Sequence, residues 1–218
     1  MKVEEIDSFP LSNVLGYYDC AACRIVDRDI DRGFVGHPCG RCGAPSTGGH
    51  DYFPFSVPVL LDLIQHHYHL PEHQQTGSVL VTPDAHRLTI VVFFSSLVEV
   101  LLQHFLVAGQ LAKGLSIDAI HEKLRETQYV ALRLKELFPK VAGEDWKHAL
   151  KAFPKVGGTS ATEVAVFCRR AAVARNRFLH DGNKWAIPAA MPLECVQHLP
   201  PLLALFAALH NRYVAKKV

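Results

Sequence analysis

Arg175 and His180 lie five positions apart near the end of a stretch with helical periodicity, and their side chains suit phosphodiester chemistry. RNA can be cleaved without a metal when one group removes the 2′-hydroxyl proton and another protonates the leaving 5′-oxygen. A fixed cation must also stabilise charge on the phosphorus oxygens. An imidazole suits the proton transfers because it titrates near neutral pH. A guanidinium suits the phosphate because it stays charged and offers a two-pronged fork of donors.

The residues around this pair support two interpretations. Asn176 and His180 share a helix face because they are four positions apart, whereas Arg175 is rotated farther round and reaches back only by its length. Basic residues outnumber acidic ones nearby, which predicts a phosphate-facing patch: Arg169, Arg170, Arg175, Arg177 and Lys184 against Asp181. In the second interpretation, the basic residues and the histidine complement the helix dipole, and the arginines lie on a solvated face.

Four cysteines near the other end have the spacing of a structural zinc site, Cys-x2-Cys-x15-Cys-x2-Cys: Cys20, Cys23, Cys39 and Cys42. Two Cys-x-x-Cys turns can supply four thiolates at tetrahedral corners, and glycines in the second turn favour a tight bend. Such a site has no open position, so we expect it to be structural. The cysteines could instead form disulfides or be unrelated, and His37 or His50 could replace one ligand. Beyond folding, such a module binds nucleic acid, binds protein or caps a domain.

Composition sets the class of protein. A chain of 218 residues that is 49% hydrophobic can bury a core without disulfides, and its net charge of +2 neither requires nor excludes nucleic acid. Paired cysteines that favour metal, together with an acidic N-terminus unlike a signal peptide, predict a cytoplasmic protein. Residues 88–107 are apolar enough to suggest a membrane span, but polar residues including Glu99 interrupt them. We therefore expect a buried helix and no membrane association.

The chain divides into three parts. Residues 1–55 are rich in Gly, Pro, Asp and Arg and form the predicted zinc ribbon module. Residues 56–81 read as a connecting helix that a histidine-rich segment interrupts, followed by a loop. Residues 82–218 read as an all-α domain. In that domain the sequence Thr82-Pro83-Asp84 marks the start of a long helix, and Gly182 marks a helix end. Further helices are predicted over residues 116–126, 130–138, 143–153, 160–180 and 193–215.

The long helix is apolar around most of its circumference, with a narrow polar stripe. Its apolar positions recur every three or four residues: Ile90, Phe94, Leu97, Leu101 and Phe105. Ser96, Glu99 and Gln103 line up on the remaining face, which must contact water or a polar site. Glu99 could orient His180 or contribute to the catalytic cleft. Alternatively, it pairs with a cationic residue as a structural contact.

The sequence Arg175-Asn176-Arg177-Phe178-Leu179-His180, followed by Asp181-Gly182, matches the Arg-Asn-x-x-x-His motif and resembles the HEPN family (higher eukaryotes and prokaryotes nucleotide-binding). The earlier segment Val92-Phe93-Phe94-Ser95-Ser96-Leu97-Val98-Glu99 is similar to the opening long helix of HEPN domains. The resemblance covers roughly residues 82 to 215. It implies a mainly α fold, a bundle of four to five helices, here preceded by a small zinc ribbon.

The resemblance also implies an activity. HEPN domains of this type dimerise, bring two motifs together and act as metal-independent ribonucleases, and many members are toxins or antiviral effectors. Carried over, Arg175 and His180 are catalytic, Asn176 matches the polar position after the arginine, and Glu99 is a further candidate. The expected partners are RNA, a second copy of the chain and an antitoxin or regulatory protein. Zinc is the expected structural cofactor, and catalysis requires none.

Two other functional classes remain open. Some HEPN proteins lack activity, so the chain could be a non-catalytic module that binds RNA or protein, with the zinc ribbon as its recognition surface. It could also be a structural subunit of a larger complex, which would show a large apolar patch and no basic cleft. Replacement of His180 distinguishes the nuclease from the non-catalytic binding module, because it changes RNA integrity only in a nuclease.

Overall fold

A computed structural model describes residues 16–28, 34–48, 51–69 and 83–215 of the chain. Over these residues the fold is mainly helical, as the sequence predicts, with one two-stranded antiparallel sheet. The strands are β1 (Tyr17–Asp19) and β2 (Val26–Arg28). The α-helices are α1 (Ser56–His69), α2 (Pro83–Ala112), α3 (Ile117–Glu126), α4 (Val130–Leu132), α5 (Phe138–Ala142), α6 (Trp146–Lys151), α7 (Ala161–Asp181) and α8 (Met191–Tyr213).

Helix α2 forms the centre of the fold. The five apolar side chains predicted to face the core are all buried, and the long helix is confirmed: Ile90, Phe94, Leu97, Leu101 and Phe105. Helices α1, α7 and α8 all pack against it. Ser95 is buried too, and its hydroxyl donates to the Val91 carbonyl over 2.9 Å, so its burial leaves no unpaired donor. The predicted cap residue Thr82 lies outside the described residues.

Helix α1 belongs to the same hydrophobic core. Val57, Leu61 and Ile64 are fully buried and lie in one cluster with the apolar side chains of α2. The histidine-rich segment does not interrupt this helix where the sequence suggested, because α1 continues through His69. The residues between His69 and Pro83, including the predicted loop, lie outside the described residues.

A π-helical turn interrupts the predicted helix over residues 130–138. Between α4 and α5, Arg133–Leu137 form this turn, and the N–H of Phe138 donates to the carbonyl of Arg133, five residues earlier. Pro139 follows and contributes no N–H, so the α-helical hydrogen bonds cannot run unbroken here. π-helical turns are rare and occur often at functional sites.

The motif helix α7 has strong end signals. Ser160 and Glu163 form a reciprocal capping box at its start, in which each side chain accepts from the other residue's backbone N–H. At its end Gly182 adopts a left-handed conformation with φ of 63°, as predicted for a C-cap. The predicted helix over residues 160–180 is therefore confirmed to within one residue at each end. Phe167 packs edge to face on Phe94 of α2, which fixes α7 against the central helix.

The N-terminal module is attached to the bundle near the C-terminal end of α8. Asn211 of α8 accepts from the Val26 N–H and donates to the Val26 carbonyl, both over 2.6 Å. Tyr17, Val26, Tyr52 and Phe53 share one buried cluster with the helices. These contacts make the edge of β2 a partner of α8.

Two helical segments are long and apolar enough to cross a membrane, Ala85–Ala112 and Met191–Tyr213. Within the fold, 50% of the apolar window in the first and 61% of that in the second are buried. Core helices of water-soluble proteins meet the same criterion, so these segments are weak evidence for a membrane.

Candidate active site and cysteine cluster

The four cysteines singled out by their spacing come together in space. Their sulfur atoms all lie within 4.8 Å of one another. Cys20 Sγ is 3.7 Å from Cys42 Sγ, and Cys23 Sγ is 3.9 Å from Cys39 Sγ. A disulfide bond is about 2.05 Å long, so these pairs are not bonded. Four thiolates about 2.3 Å from a central zinc would be separated by roughly 3.8 Å, which matches the distances here.

The two Cys-x-x-Cys turns are built alike. In the first, Cys20 N–H donates to Ile25 and Arg24 N–H donates to Cys20; in the second, Cys39 N–H donates to Ala44 and Gly43 N–H donates to Cys39. Arg24 and Gly43 occupy equivalent positions, with φ of 58° and 71°. The tight bend at Gly43 was predictable from the glycine, but the one at Arg24 was not, because a non-glycine residue gives no sequence signal for a left-handed backbone.

Backbone amides in each turn favour the ionised form of one thiol. Burial opposes ionisation of Cys20, but the N–H groups of Cys23 and Ala22 outweigh it and lower the pKa of this thiol to about 6. Burial likewise opposes ionisation of Cys39, and the N–H groups of Cys42 and Arg41 lower its pKa. Burial raises the pKa of the Cys23 thiol to about 12. Two of the thiols thus favour the thiolate form that metal ligands require, and the four sulfur positions fit a metal ion such as zinc.

The motif arginine is held by the central helix. Arg175 Nη1 donates to Glu99 Oε1 over 3.0 Å, and Arg175 Nε donates to Asn176 Oδ1 over 3.1 Å. The Arg175 side chain is 20% exposed and that of Glu99 is 42% exposed, so the pair lies at the edge of the core. The fold therefore joins three of the four predicted catalytic residues. Glu99 forms the ion pair with a cationic residue that one interpretation predicted, and it also lines the cavity described below.

His180 is on the same helix but outside this cluster. It is exposed in the last turn of α7, and within the described part of the chain its imidazole has no hydrogen bond or ion pair. On the helix Asn176 and His180 share one outward face, whereas Arg175 lies on the side that meets α2. A single copy of the chain thus keeps the predicted proton-transfer group away from the predicted phosphate-binding group.

The predicted basic patch is smaller than its residue count suggests. Arg170 forms an ion pair with Glu194 of α8 and lies over the ring of Phe167, 5.0 Å from its centroid. Arg175 is paired with Glu99. Arg169 and Arg177 are exposed and have no ion-pair partner in the described part of the chain, so they carry the free positive charge of α7.

A cavity of about 820 Å³ opens beside the Arg175–Glu99 pair. Its walls are largely apolar, and helices α2, α7 and α8 contribute residues to it. Arg175, Asn176 and Glu99 line its polar side, while Tyr129, which is 72% exposed, stands in its wall beside Gln128. The volume lies in the range typical of small-molecule sites. The sequence gives no signal for this cavity, because its walls come from segments far apart in the chain.

A second, more polar cavity of about 580 Å³ adjoins it, and Gln128 lines both. Arg125 and Arg133 line this cavity together with Asp118 and His121. Arg133 is held in place, because its Nε donates to the Thr127 carbonyl over 2.9 Å and its Nη1 donates to Gln103 Oε1 over 3.3 Å. The polar stripe of α2 therefore supports two arginines, with Glu99 on Arg175 and Gln103 on Arg133.

A buried polar cluster lies where the N-terminal module meets the bundle. The ring of Tyr52 contacts the imidazoles of His104 and His210, with centroid distances of 4.9 and 4.7 Å. His210 Nε2 lies 3.0 Å from the Arg24 carbonyl and therefore donates to it. Burial lowers the pKa of His210 to about 4, against the hydrogen bond to Arg24. Burial also lowers the pKa of His104. Both histidines are therefore neutral at pH 7.

Comparisons with known proteins add no relative to this description. A scan of protein-family models, a search of curated proteins and a search of solved structures each found no match to the chain.

Proposed function

We propose that this chain is a metal-independent endoribonuclease of the HEPN type, active as a homodimer, with zinc held by the four cysteines. The observation that carries the proposal is the cluster of Arg175, Asn176 and Glu99. Its three side chains belong to the motif and to the polar stripe of α2, and they border a cavity of ligand size. The motif arginine is thus positioned at a cavity rather than spread on a solvated helix face.

In this proposal Arg175 binds the phosphate at the cleavage site. Glu99 accepts from one of its terminal nitrogens and Asn176 accepts from Nε, which leaves further guanidinium N–H groups for phosphate oxygens. Such fixed donors stabilise the charge that develops on the phosphorus oxygens without having to reorganise. Asn176 and Glu99 act as positioning residues for Arg175.

His180 supplies the proton transfers, and the separation of His180 from Arg175 within one copy supports a dimer. The outward face of α7 carries Val166, Arg169, Val173, Asn176 and His180, and all five are exposed. Packing this face against a second copy would bury Val166 and would place the larger cavity, whose wall includes Val173, at the interface between the two copies. It would also bring each His180 toward the other motif, so that one copy's imidazole acts at the other copy's Arg175.

The four cysteines support a structural role for zinc. Bound there, zinc would hold the two turns together and would take no part in the reaction, because the four thiolates occupy every tetrahedral position. The module contacts α8 through Asn211 and His210, so folding of the module would stabilise the C-terminal part of α8. A cytoplasmic role in defence, toxin–antitoxin regulation or stress belongs to this proposal, with an antitoxin or regulatory protein as a further partner.

The experiment that tests the proposal is incubation of total cellular RNA with the purified protein and with its His180→Ala and Arg175→Ala variants. A magnesium-chelating buffer is used at a concentration that leaves zinc bound, as checked by metal analysis. We expect the parent alone to cut and to leave 2′,3′-cyclic phosphate ends. If none of the three proteins cuts RNA, the nuclease proposal fails.

The second candidate is a module that binds RNA or protein without cutting. The observation that favours it is the exposure of His180, which lies on the outward face of α7 outside the cluster of Arg175, Asn176 and Glu99. In that case the parent and His180→Ala would bind RNA or a partner equally well, and RNA would stay intact in both reactions.

A further inference from the structure

The two cavities that share Gln128 differ in chemistry in a way that matches the two parts of a nucleotide. The larger cavity has apolar walls formed by residues such as Val98, Leu102, Leu134 and Phe206. The smaller one is lined by polar and charged groups. A nucleobase has apolar faces and polar edges, and it is joined to an anionic phosphate. We infer that these cavities form one cleft for an unpaired nucleotide of single-stranded RNA, with the base in the larger cavity.

The larger cavity offers what a base requires. Tyr129 is 72% exposed in its wall, and aromatic rings of this kind provide platforms on which bases stack. Gln128, Asn176 and Glu99 provide hydrogen-bonding groups for the polar edge of the base. Stacked bases inside a duplex cannot enter such a cavity, whereas an unpaired base can be splayed out.

The smaller cavity offers what the adjoining phosphate requires. Arg125 and Arg133 give it two positive charges against Asp118. Arg133 is fixed by Thr127 and Gln103 and retains free N–H groups for an anion. An acyl chain would fill the larger cavity but would make no use of these arginines, so the pair of cavities favours a nucleotide.

The π-helical turn connects the two cavities. Arg133, its first residue, lines the smaller cavity, and the next residue, Leu134, lines the larger one. Successive residues of a helical turn point in different directions, so these two neighbours can line different cavities. This inference rests on the proposed function, namely that the chain acts on RNA. A base in the larger cavity would lie beside Arg175.

The test measures the affinity of the full chain for short fluorescently labelled RNA, in the His180→Ala background so that the RNA stays intact. Three probes are used: a single strand, a strand of the same length without bases, and a duplex. We expect the single strand to bind at least tenfold more tightly than either other probe. Equal affinity for the strand without bases, or for the duplex, would overturn the inference.

Two matched substitutions locate the binding site. Ala131 is exposed and lines the larger cavity, so Ala131→Trp should block it and weaken single-strand binding at least tenfold. Ala112 is also an exposed helical alanine and lines neither cavity, so Ala112→Trp should bind like the background. If Ala131→Trp does not fold, Tyr129→Ala takes its place: it removes the proposed stacking ring and should also weaken single-strand binding. Equal affinity of the blocked and control proteins would overturn the inference.

Cleavage assays separate this inference from the proposed function. In an otherwise unchanged chain, Ala131→Trp should raise the KM for single-stranded RNA, whereas Ala112→Trp should not. If Ala131→Trp cuts with the KM of the parent, the nuclease proposal stands and the cleft is wrong. If the parent does not cut, but binds RNA in a base-dependent way that Ala131→Trp abolishes, the cleft stands and the nuclease proposal is wrong.

Discussion

Arg175 Nη1 donates a hydrogen bond to Glu99 Oε1 over 3.0 Å, which joins two helices whose paired residues are 76 positions apart in the chain. The bond turns a solvent-seeking side chain toward the central helix and leaves it only 20% exposed. Long side chains gain entropy when released, so an arginine held in this way requires a persistent acceptor.

We expect Glu99→Ala to lower RNA cleavage about tenfold, a change of about 1.4 kcal/mol in the activation free energy, because Arg175 would lose its fixed orientation. Glu99→Gln keeps a neutral acceptor and should lose less activity. The measurement is kcat and KM for a labelled RNA, with Glu194→Gln as the control, since Glu194 holds Arg170 instead. Equal rates for all these proteins would remove Glu99 from the mechanism.

Metal analysis tests the cysteine cluster. We expect the purified parent to contain one zinc ion per chain, and Cys39→Ser to lose it and to unfold at a lower temperature, because the metal links the two turns. Cys168→Ser is the control: Cys168 lies on α7 outside the cluster, so this variant should keep its zinc. Zinc retention by Cys39→Ser, or loss from both variants, would contradict the assignment.

Stability should fall at mildly acidic pH because His210 is buried in its neutral form. Its pKa is lowered to about 4 in the folded chain, so below about 6.5 the unfolded chain binds more protons. Above pH 6.5 His210 is neutral in both the folded and the unfolded chain, and its burial costs no stability through protonation. As the pH falls from 6.5 toward 4, the free energy of unfolding decreases by about 3 kcal/mol on account of His210.

The measurement for His210 is the free energy of unfolding by urea between pH 7.5 and pH 5 for the parent and for His210→Gln. His104, Asp19 and Arg24 also influence His210, so only the difference between the two proteins reports on this residue. We expect the parent to lose more stability than the variant over this range. Parallel pH profiles would contradict the prediction.

Gly109 allows close packing between α2 and α5. A methyl group built on Gly109 would lie 2.2 Å from Val141 Cγ1, and Val141 is buried. We therefore expect Gly109→Ala to destabilise the fold by about 1–3 kcal/mol. The double variant with Val141→Ala should recover part of this loss, because it removes the clashing atom. Unfolding free energies of the two single variants and the double variant decide the matter, and full additivity would contradict the packing argument.

The proposed dimer predicts that a charge on the outward face of α7 separates the two copies. Val166 is 63% exposed there, and Val166→Glu should convert a dimer to a monomer and abolish cleavage. Val59 of α1 is 42% exposed outside this face, so Val59→Glu should remain a dimer. Sedimentation velocity measures both states. A parent that sediments as a monomer while cutting RNA would contradict the need for a second copy.

The helices were predictable from the sequence because their signals are local. The capping box of Ser160 and Glu163 and the left-handed Gly182 define α7 from both ends, and the spacing of buried side chains defines α2. The cysteine cluster was predictable for the same reason, because each turn carries the Cys-x-x-Cys spacing of a metal-binding turn. The π-helical turn was not, because its hydrogen bond from Phe138 to Arg133 leaves no trace in apolar periodicity.

The candidate site was only partly predictable. The motif named Arg175 and Asn176, and the polar stripe named Glu99, but their contacts depend on how α7 packs against α2. Periodicity gives the face on which a residue lies and not which face of another helix it meets. Tyr129 and Arg133 were missed for this reason, because they become relevant only through the cavities that the packed helices enclose.

The paired hydrogen bonds between Val26 and Asn211 have a consequence for how the chain is made. These residues are 185 positions apart, so β2 leaves the ribosome long before the helix that it joins. Both cysteine turns leave the ribosome before α8, so the edge of β2 has no Asn211 to bond until α8 has followed. Attachment of the module is then a late event in folding, which is complete only when α8 has been synthesised and packed.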